Sequence, residues 1–174
     1  MCVYCGNIYK NHSSELPNAS DILRAGVIGT NQVLANYLTS GFWDDFGSTP
    51  RKFNLTNTGA YAKSGVLTYN TSGNIFDPNG ISSERSLLVD EGFKLLEITL
   101  GIDFQKTTNF GADIRFSDSS SEAFANSSYF SENIIYSNIN IPTDWNGSSS
   151  GFGNYTFHTI LHEIGHALGL GHLG

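Results

Sequence analysis

Apolar residues recur at helical spacing in one long segment near the middle of the chain. Four of them, between residues 83 and 101, follow one another at intervals of four, three and four: Val89, Phe93, Leu96 and Leu100. These intervals bring the side chains to one face of an α-helix. Ser83 can cap the start of this helix, and Gly101 can end it. The pattern predicts a helix that packs its apolar face on the core.

Shorter segments favour β-strands because apolar and β-branched residues alternate in them with polar ones. The predicted strands span residues 65–70, 102–107, 112–118 and 132–141, with a short edge strand at 123–128. A strand, a helix and then several strands indicate an α+β fold in which the helix lies on one face of a mixed sheet.

The chain ahead of the first strand is less regular. Residues 1–36 are predicted to form a polar N-terminal arm or pro-like segment, which can include a short helix within residues 21–38. Residues 37–53 are rich in glycine, aromatic residues and turn formers. Their composition predicts a loop that packs Phe42, Trp43 and Phe46 on the core.

The segment that carries chemistry lies near the end of the sequence, where a second helix is predicted to begin at about residue 154. Residues 162–172 fit the pattern H-E-x-x-H-x-x-G-x-x-H at all five fixed positions. His162 and His166 are four residues apart, so a helix projects both imidazoles from one face. Two neutral imidazole nitrogens at that separation can share one zinc ion.

The other three positions of the pattern complete a catalytic rather than a structural metal site. Glu163 lies beside the ligand face, where its carboxylate can act as a general base on a water bound to the metal. Gly169 can adopt the left-handed conformation that ends the helix and turns the chain back. The turn brings His172 to the ion as third ligand, which leaves the fourth position open.

A histidine-rich helix end stabilised by the helix dipole is the alternative interpretation of this segment. It explains the two helical histidines but not Glu163, Gly169 and His172 together. His158 lies one turn before His162, and we expect it to be exposed or to support the site from outside. His12 is expected to be exposed to solvent.

The two cysteines near the N-terminus, Cys2 and Cys5, form a CxxC without the second pair that a four-cysteine zinc site needs. We expect them to lie in an arm without chemistry of its own. Two alternatives stay open, a local disulfide and a thiolate that reaches the open metal position and keeps the protein latent.

The extended histidine motif resembles that of the metzincin zinc endopeptidases. The segments HEIGHALGLGH, NYTFHTIL, YLTSGFW, ADIRF and NINIPTDW are similar to one branch, the serralysin-like peptidases, bacterial enzymes of the type I secretion route. The similarity covers roughly residues 37–174. It implies that this range is part of a metallopeptidase catalytic domain which hydrolyses peptide bonds of proteins.

The resemblance also implies an architecture and a place for the substrate. It implies a twisted mixed sheet with one backing helix, one helix that bears the first two ligands, and an antiparallel edge strand. The edge strand pairs with the backbone of the substrate, as in other strand-addition complexes. In this chain the strand corresponds to Glu122, Ala123, Phe124, Ala125, Asn126 and Ser127.

Other features of the family have no counterpart in the sequence. The family's lower subdomain contains a methionine turn beneath the zinc, whereas the single methionine of this chain is Met1. We therefore expect the chain to be the front part of a longer secreted protease, with Ca²⁺ bound only by C-terminal repeats of that parent. The alternative is a zinc-binding fragment that is catalytically incomplete.

Composition narrows the range of partners. The chain has 9 Lys and Arg against 16 Asp and Glu, a formal net charge of −7, and charged residues are only 14% of the total. An acidic chain without a basic cluster is a poor nucleic-acid binder. Apolar runs are too short for a transmembrane helix, and the first residues lack the basic start and apolar stretch of a signal peptide, so we expect neither. We expect a monomer that acts on proteins or peptides; a non-enzymatic surface protein is a distant alternative.

Overall fold

The computed structural model of the 174-residue chain describes residues 30–75, 77–143 and 155–172. Its helical elements are α1 (Asn31–Asn36), a π-helical turn (Tyr37–Gly41), α2 (Phe42–Asp45), α3 (Ser83–Leu100) and α4 (Tyr155–Ala167). Its strands are β1 (Val66–Asn70), β2 (Asp103–Lys106), β3 (Ile114–Ser117), β4 (Phe124–Phe130) and β5 (Asn133–Asn140). None of the described helices combines the length and apolar character that a membrane span requires.

The five strands form one mixed sheet in the order β2-β1-β3-β5-β4. The first four strands in this order, β2, β1, β3 and β5, are parallel to one another. Strand β4 runs antiparallel to β5 at the edge of the sheet. The predicted α+β class is therefore confirmed. The edge strand begins at Phe124 and continues to Phe130, two residues beyond the predicted end, with a register shift between Ser128 and Tyr129.

The core lies between the sheet and the two long helices, α3 and α4. Phe93 of α3 stands at its centre, with its ring 4.3 Å from that of Tyr69 and 4.6 Å from that of Phe104. Gly92 allows α4 to come close, because a Cβ there would lie 3.3 Å from the Leu161 side chain. Ile164 of α4 is fully buried.

Helix α3 differs from its prediction in its N-cap and in the exposure of its last residue. Its N-cap is Ser82 rather than Ser83, since the Ser82 hydroxyl accepts the Arg85 N–H at 3.4 Å. Gly101 ends the helix in the left-handed conformation, as predicted. Val89 is buried as predicted, but Leu100 is 49% exposed because α3 extends beyond the core it covers.

The loop predicted at residues 37–53 is helical up to Asp45, so that prediction was wrong for its first half. Thr30 caps α1, and the helical backbone then continues through the π-helical turn into α2. The Tyr37 hydroxyl donates to Asp45 at 2.8 Å and holds the two ends of this stretch together. Phe42 is buried as predicted, whereas Phe46 is 57% exposed because it follows the last helical turn.

Two predictions about the N-terminal region stay predictions. The proposed helix within residues 21–38 is seen only from Asn31, since residues 21–29 lie outside the described part of the chain. The division between an arm and a domain at residues 36 and 37 falls inside the continuous helical stretch.

Candidate metal centre

Helix α4 carries the first two histidines of the motif on one face. The Nε2 atoms of His162 and His166 lie 3.0 Å apart, and the two ring centres are 4.5 Å apart. This contact is a hydrogen bond only if one nitrogen carries a proton, whereas a metal ion can accept a lone pair from each. Zinc–nitrogen bonds of about 2.0–2.1 Å in a tetrahedral site place donor nitrogens about 3.3 Å apart. The pair therefore has nearly the spacing that one zinc ion needs.

The end of α4 forms a tight turn built on Gly169. Its φ is +103°, a backbone conformation that residues with a Cβ rarely adopt. The Gly169 N–H donates to the carbonyl of His166 at 3.0 Å, and the Leu170 N–H donates to that of Gly165 at 3.0 Å. These two bonds define a Schellman motif, which satisfies carbonyls at the helix end and reverses the chain.

The turn delivers His172 to the other two histidines. One ligand nitrogen from each of His162, His166 and His172 can be chosen so that all three lie within 4.8 Å of one another. The His172 ring centre is 4.2 Å from that of His166 and 5.5 Å from that of His162. Three convergent imidazoles with room for a further ligand match the donor set of a catalytic zinc site.

Segments far away in sequence hold this turn in place. The Trp43 indole N–H donates to the Gly169 carbonyl at 3.1 Å, across 126 positions of sequence. A Cβ at Gly169 would lie 2.0 Å from the carbonyl oxygen of Arg51, so the two backbones are in direct contact. The Gly171 N–H donates to the Leu38 carbonyl at 2.7 Å. Sequence reasoning missed this role, although the resemblance includes the YLTSGFW segment that contains Trp43.

The protonation states of the histidines favour metal binding. The Nδ1 of His166 lies 2.8 Å from the Leu170 carbonyl, which fixes the ring and leaves Nε2 as the metal donor. Burial lowers the pKa of His166 to about 4. Burial also lowers the pKa values of His162 and His172. All three rings are therefore driven towards the neutral form, which is the form that binds a metal.

Glu163 lies on the inner side of the same helix and is only 1% exposed. Its carboxylate accepts a backbone hydrogen bond from Ala125 of β4, while Oε2 is buried without a hydrogen-bond partner among the described residues. Burial raises the pKa of Glu163 to about 7, and the Ala125 bond opposes that rise. A buried carboxylate with one unpartnered oxygen, on the residue that follows His162, is suited to accept and release a proton near neutral pH.

The residues predicted to contact a substrate differ in their placement. Glu122 and Ala123 precede β4, and the Ala123 side chain is fully buried. The other four lie on the edge strand itself: Phe124, Ala125, Asn126 and Ser127. Of these, the Ala125 backbone contacts a motif residue directly, through its hydrogen bond to Glu163.

A chain of hydroxyl contacts links the edge strand to the end of α4. The Ser127 and Ser137 hydroxyls are 2.7 Å apart, and the Ser137 hydroxyl donates to the Ala167 carbonyl at 2.9 Å. Ser137 is fully buried. It therefore fixes the distance between the histidine helix and the strand that faces it, another role that local sequence did not indicate.

The remaining candidates lie apart from the cluster. His158 is exposed, as expected, and does not belong to the group of three histidines. His12, Cys2 and Cys5 lie outside the described residues, so the latency hypothesis stays a prediction.

Comparisons with known proteins add no family assignment. No protein-family description matches the chain, and a search of curated proteins finds no match either. The motif and the geometry of its residues are therefore the features that indicate a function.

Proposed function

We propose that the chain is a zinc-dependent endopeptidase. The observation that carries the proposal is the convergence of ligand nitrogens of His162, His166 and His172 within 4.8 Å, the first two on a helix that also carries the buried carboxylate of Glu163. Three imidazole donors, each driven towards neutrality, would hold one zinc ion and leave a position for water. When bound, zinc lowers the pKa of water and polarises a carbonyl oxygen, which is the chemistry that peptide hydrolysis needs.

Glu163 supplies the proton chemistry in this proposal. Its pKa of about 7 allows it to take a proton from the attacking water at neutral pH. The same carboxyl group then gives that proton to the leaving amine nitrogen as the peptide bond breaks. The Ala125 N–H holds the carboxylate in place, and the unpartnered Oε2 is the atom available for the proton.

The edge strand offers a place for the peptide. Among the described strands β4 pairs only with β5, so its other side presents backbone groups that can pair with an extended chain. Because Glu163 bonds to Ala125, a peptide along β4 would pass beside the proposed base. The antiparallel edge strand and the helix that bears His162 agree with the serralysin-like resemblance. On that resemblance we also propose that the protein is secreted and acts on proteins outside the cell.

The first test measures zinc content and cleavage of an unfolded protein by the 174-residue chain, after chelation and return of zinc. We expect one zinc ion per chain in the wild type and in Glu163→Gln, but cleavage only by the wild type. His158→Ala is the matched control, because it removes an exposed histidine of the same helix and should leave both properties unchanged.

Three results would contradict parts of the proposal. Full activity of Glu163→Gln would reject the assigned base. Unchanged zinc binding in His166→Ala would reject the assigned ligands. Zinc binding without cleavage by the wild type would favour the alternative, a zinc-binding chain that is catalytically incomplete.

A further inference from the structure

A cleft runs beside the histidine cluster and contains one arginine. It is lined in part by Trp43, Arg51, residues 125–127 of β4, and His172. Among the described residues that line the cleft, Arg51 is the only Lys or Arg. The cleft therefore joins the proposed metal centre, the proposed peptide strand and the permanent positive charge of Arg51.

Aromatic rings hold the Arg51 side chain in place. The guanidinium carbon lies 3.8 Å from the centre of the Tyr129 ring and 4.7 Å from that of the Trp43 ring. Such contacts use the faces of the planar guanidinium and leave its in-plane N–H donors for other partners. Its backbone is fixed as well, because the neighbouring Lys52 exchanges hydrogen bonds of 2.9 Å with Glu132 and Ile134.

Arg51 has no carboxylate partner among the described residues, although this chain has more acidic than basic residues. Its Nε is buried without a hydrogen-bond partner in the described part of the chain, and its Nη2 reaches only the Ser48 hydroxyl, at 3.5 Å. A half-buried guanidinium is normally paired, because desolvation of an unpaired charge is costly. Its preferred partner is a carboxylate, which matches its donors in pairs.

We propose that Arg51 determines specificity by binding the carboxylate of an Asp or Glu side chain in a peptide that lies along β4. The proposal deepens the proposed function and depends on it. A bound acidic side chain would take up the free in-plane donors, and the contacts with Trp43 and Tyr129 would hold the guanidinium ready for it.

The test uses pairs of peptides that are blocked at both ends and differ only by Glu or Gln at one position near the cleaved bond. At one position we expect the zinc-loaded wild type to prefer Glu by about tenfold or more in kcat/KM, since hydrogen bonds between charged groups contribute that much. In Arg51→Gln the ratio of Glu to Gln should fall to about one, whatever the absolute rate.

Two further variants separate specificity from folding. Lys52→Gln removes the adjacent charge, whose side chain is 67% exposed and pairs with Glu132, so the preference for Glu should be unchanged. Arg51→Glu should reverse the selectivity, so that a peptide with Lys at the same position is preferred over one with Glu. A purely structural role of Arg51 would not produce this reversal.

Failure of this proposal can be told apart from failure of the proposed function. Cleavage by the wild type with no preference for Glu at any position would overturn the role of Arg51 alone. Absence of cleavage would count against the proposed endopeptidase activity. The role of Arg51 would then be tested by peptide binding, measured by fluorescence anisotropy with zinc present. Equal binding of the Glu and Gln peptides would overturn the role of Arg51, whereas a preference for Glu that Arg51→Gln abolishes would support it.

Discussion

Replacement of Gly169 by alanine should damage the proposed metal centre without changing any of its proposed ligands. The substitution places a Cβ at a residue with φ of +103°, which costs about 1–2 kcal/mol in an L-residue. The new Cβ would also lie 2.0 Å from the Arg51 carbonyl oxygen, whereas real Cβ contacts shorter than 3.0 Å hardly occur. The turn and the Arg51 backbone must therefore separate by at least 1.0 Å.

That separation moves the third ligand. His172 follows Gly169 by three residues, and the Trp43 bond of 3.1 Å to the Gly169 carbonyl must change with it. We expect a total loss of about 3 kcal/mol or more in the free energy of unfolding of the metal-free chain. Zinc affinity should fall by about 10- to 100-fold, the usual effect of disturbing groups that position a ligand.

Gly101→Ala is the matched control. Gly101 has φ of +68°, with nothing within 4 Å of an added Cβ, and it ends α3 rather than α4. The Gly101→Ala variant should lose only about 1–2 kcal/mol in the free energy of unfolding, the cost of the left-handed backbone, and its zinc affinity should be unchanged. Denaturant unfolding gives the stabilities, and competition with a coloured chelator gives the zinc affinity. Equal losses in the two variants, or wild-type zinc affinity in Gly169→Ala, would refute the steric argument.

Three further perturbations test other parts of the structure. In the metal-free chain, Glu163→Gln should match the wild type at pH 4 and become more stable by up to about 3 kcal/mol at pH 9. The reason is that the pKa of Glu163 rises from 4.5 to about 7 on folding, so the stability that protonated Glu163 gives the wild type is lost as pH rises through 7. If urea unfolding gave the same pH profile for the wild type and Glu163→Gln, this explanation would be wrong. Ser137→Ala leaves the last carbonyl of α4 without its 2.9 Å partner and should cost about 1–3 kcal/mol in chemical unfolding, an expectation that an unchanged midpoint would reject. Lys63→Met leaves the buried carboxylate of Asp113 without its cation and should lower the free energy of unfolding by about 3–5 kcal/mol. Loss of the exposed pair between Lys52 and Glu132 should lower it by no more than about 1 kcal/mol. Similar shifts of the melting temperature in both variants would contradict the role of burial.

Local sequence was sufficient for most of the secondary structure and for the choice of the histidines that the fold brings together. The long helix and the strands follow from the intervals between apolar residues, which a regular backbone converts directly into faces. His162, Glu163 and His166 could be predicted because a helix fixes their relative directions over four residues. Gly169 could be predicted because few residues other than glycine adopt a left-handed turn there.

Other features depend on contacts that no local pattern contains. The spacing of apolar residues cannot tell that Leu100 extends past the core, or that Phe46 follows a helix end and faces solvent. Segment 37–45 contains turn formers, yet it continues a helix because α1 precedes it and because Tyr37 bonds across it to Asp45. The edge strand has polar residues on both faces, so the alternation of apolar and polar residues does not predict that it ends at Phe130.

The same distinction applies to the proposed metal centre, where the motif provides the candidate donors and distant segments determine where the third donor lies. His172 lies beyond the helix, so the helix alone cannot fix it against His162 and His166. Its place depends on a turn held from outside by Trp43 and by the Arg51 backbone. The affinity of this site should therefore depend on residues 38–51 nearly as much as on the motif. A chain that keeps all five motif positions but changes this segment would keep the ligands and lose their arrangement.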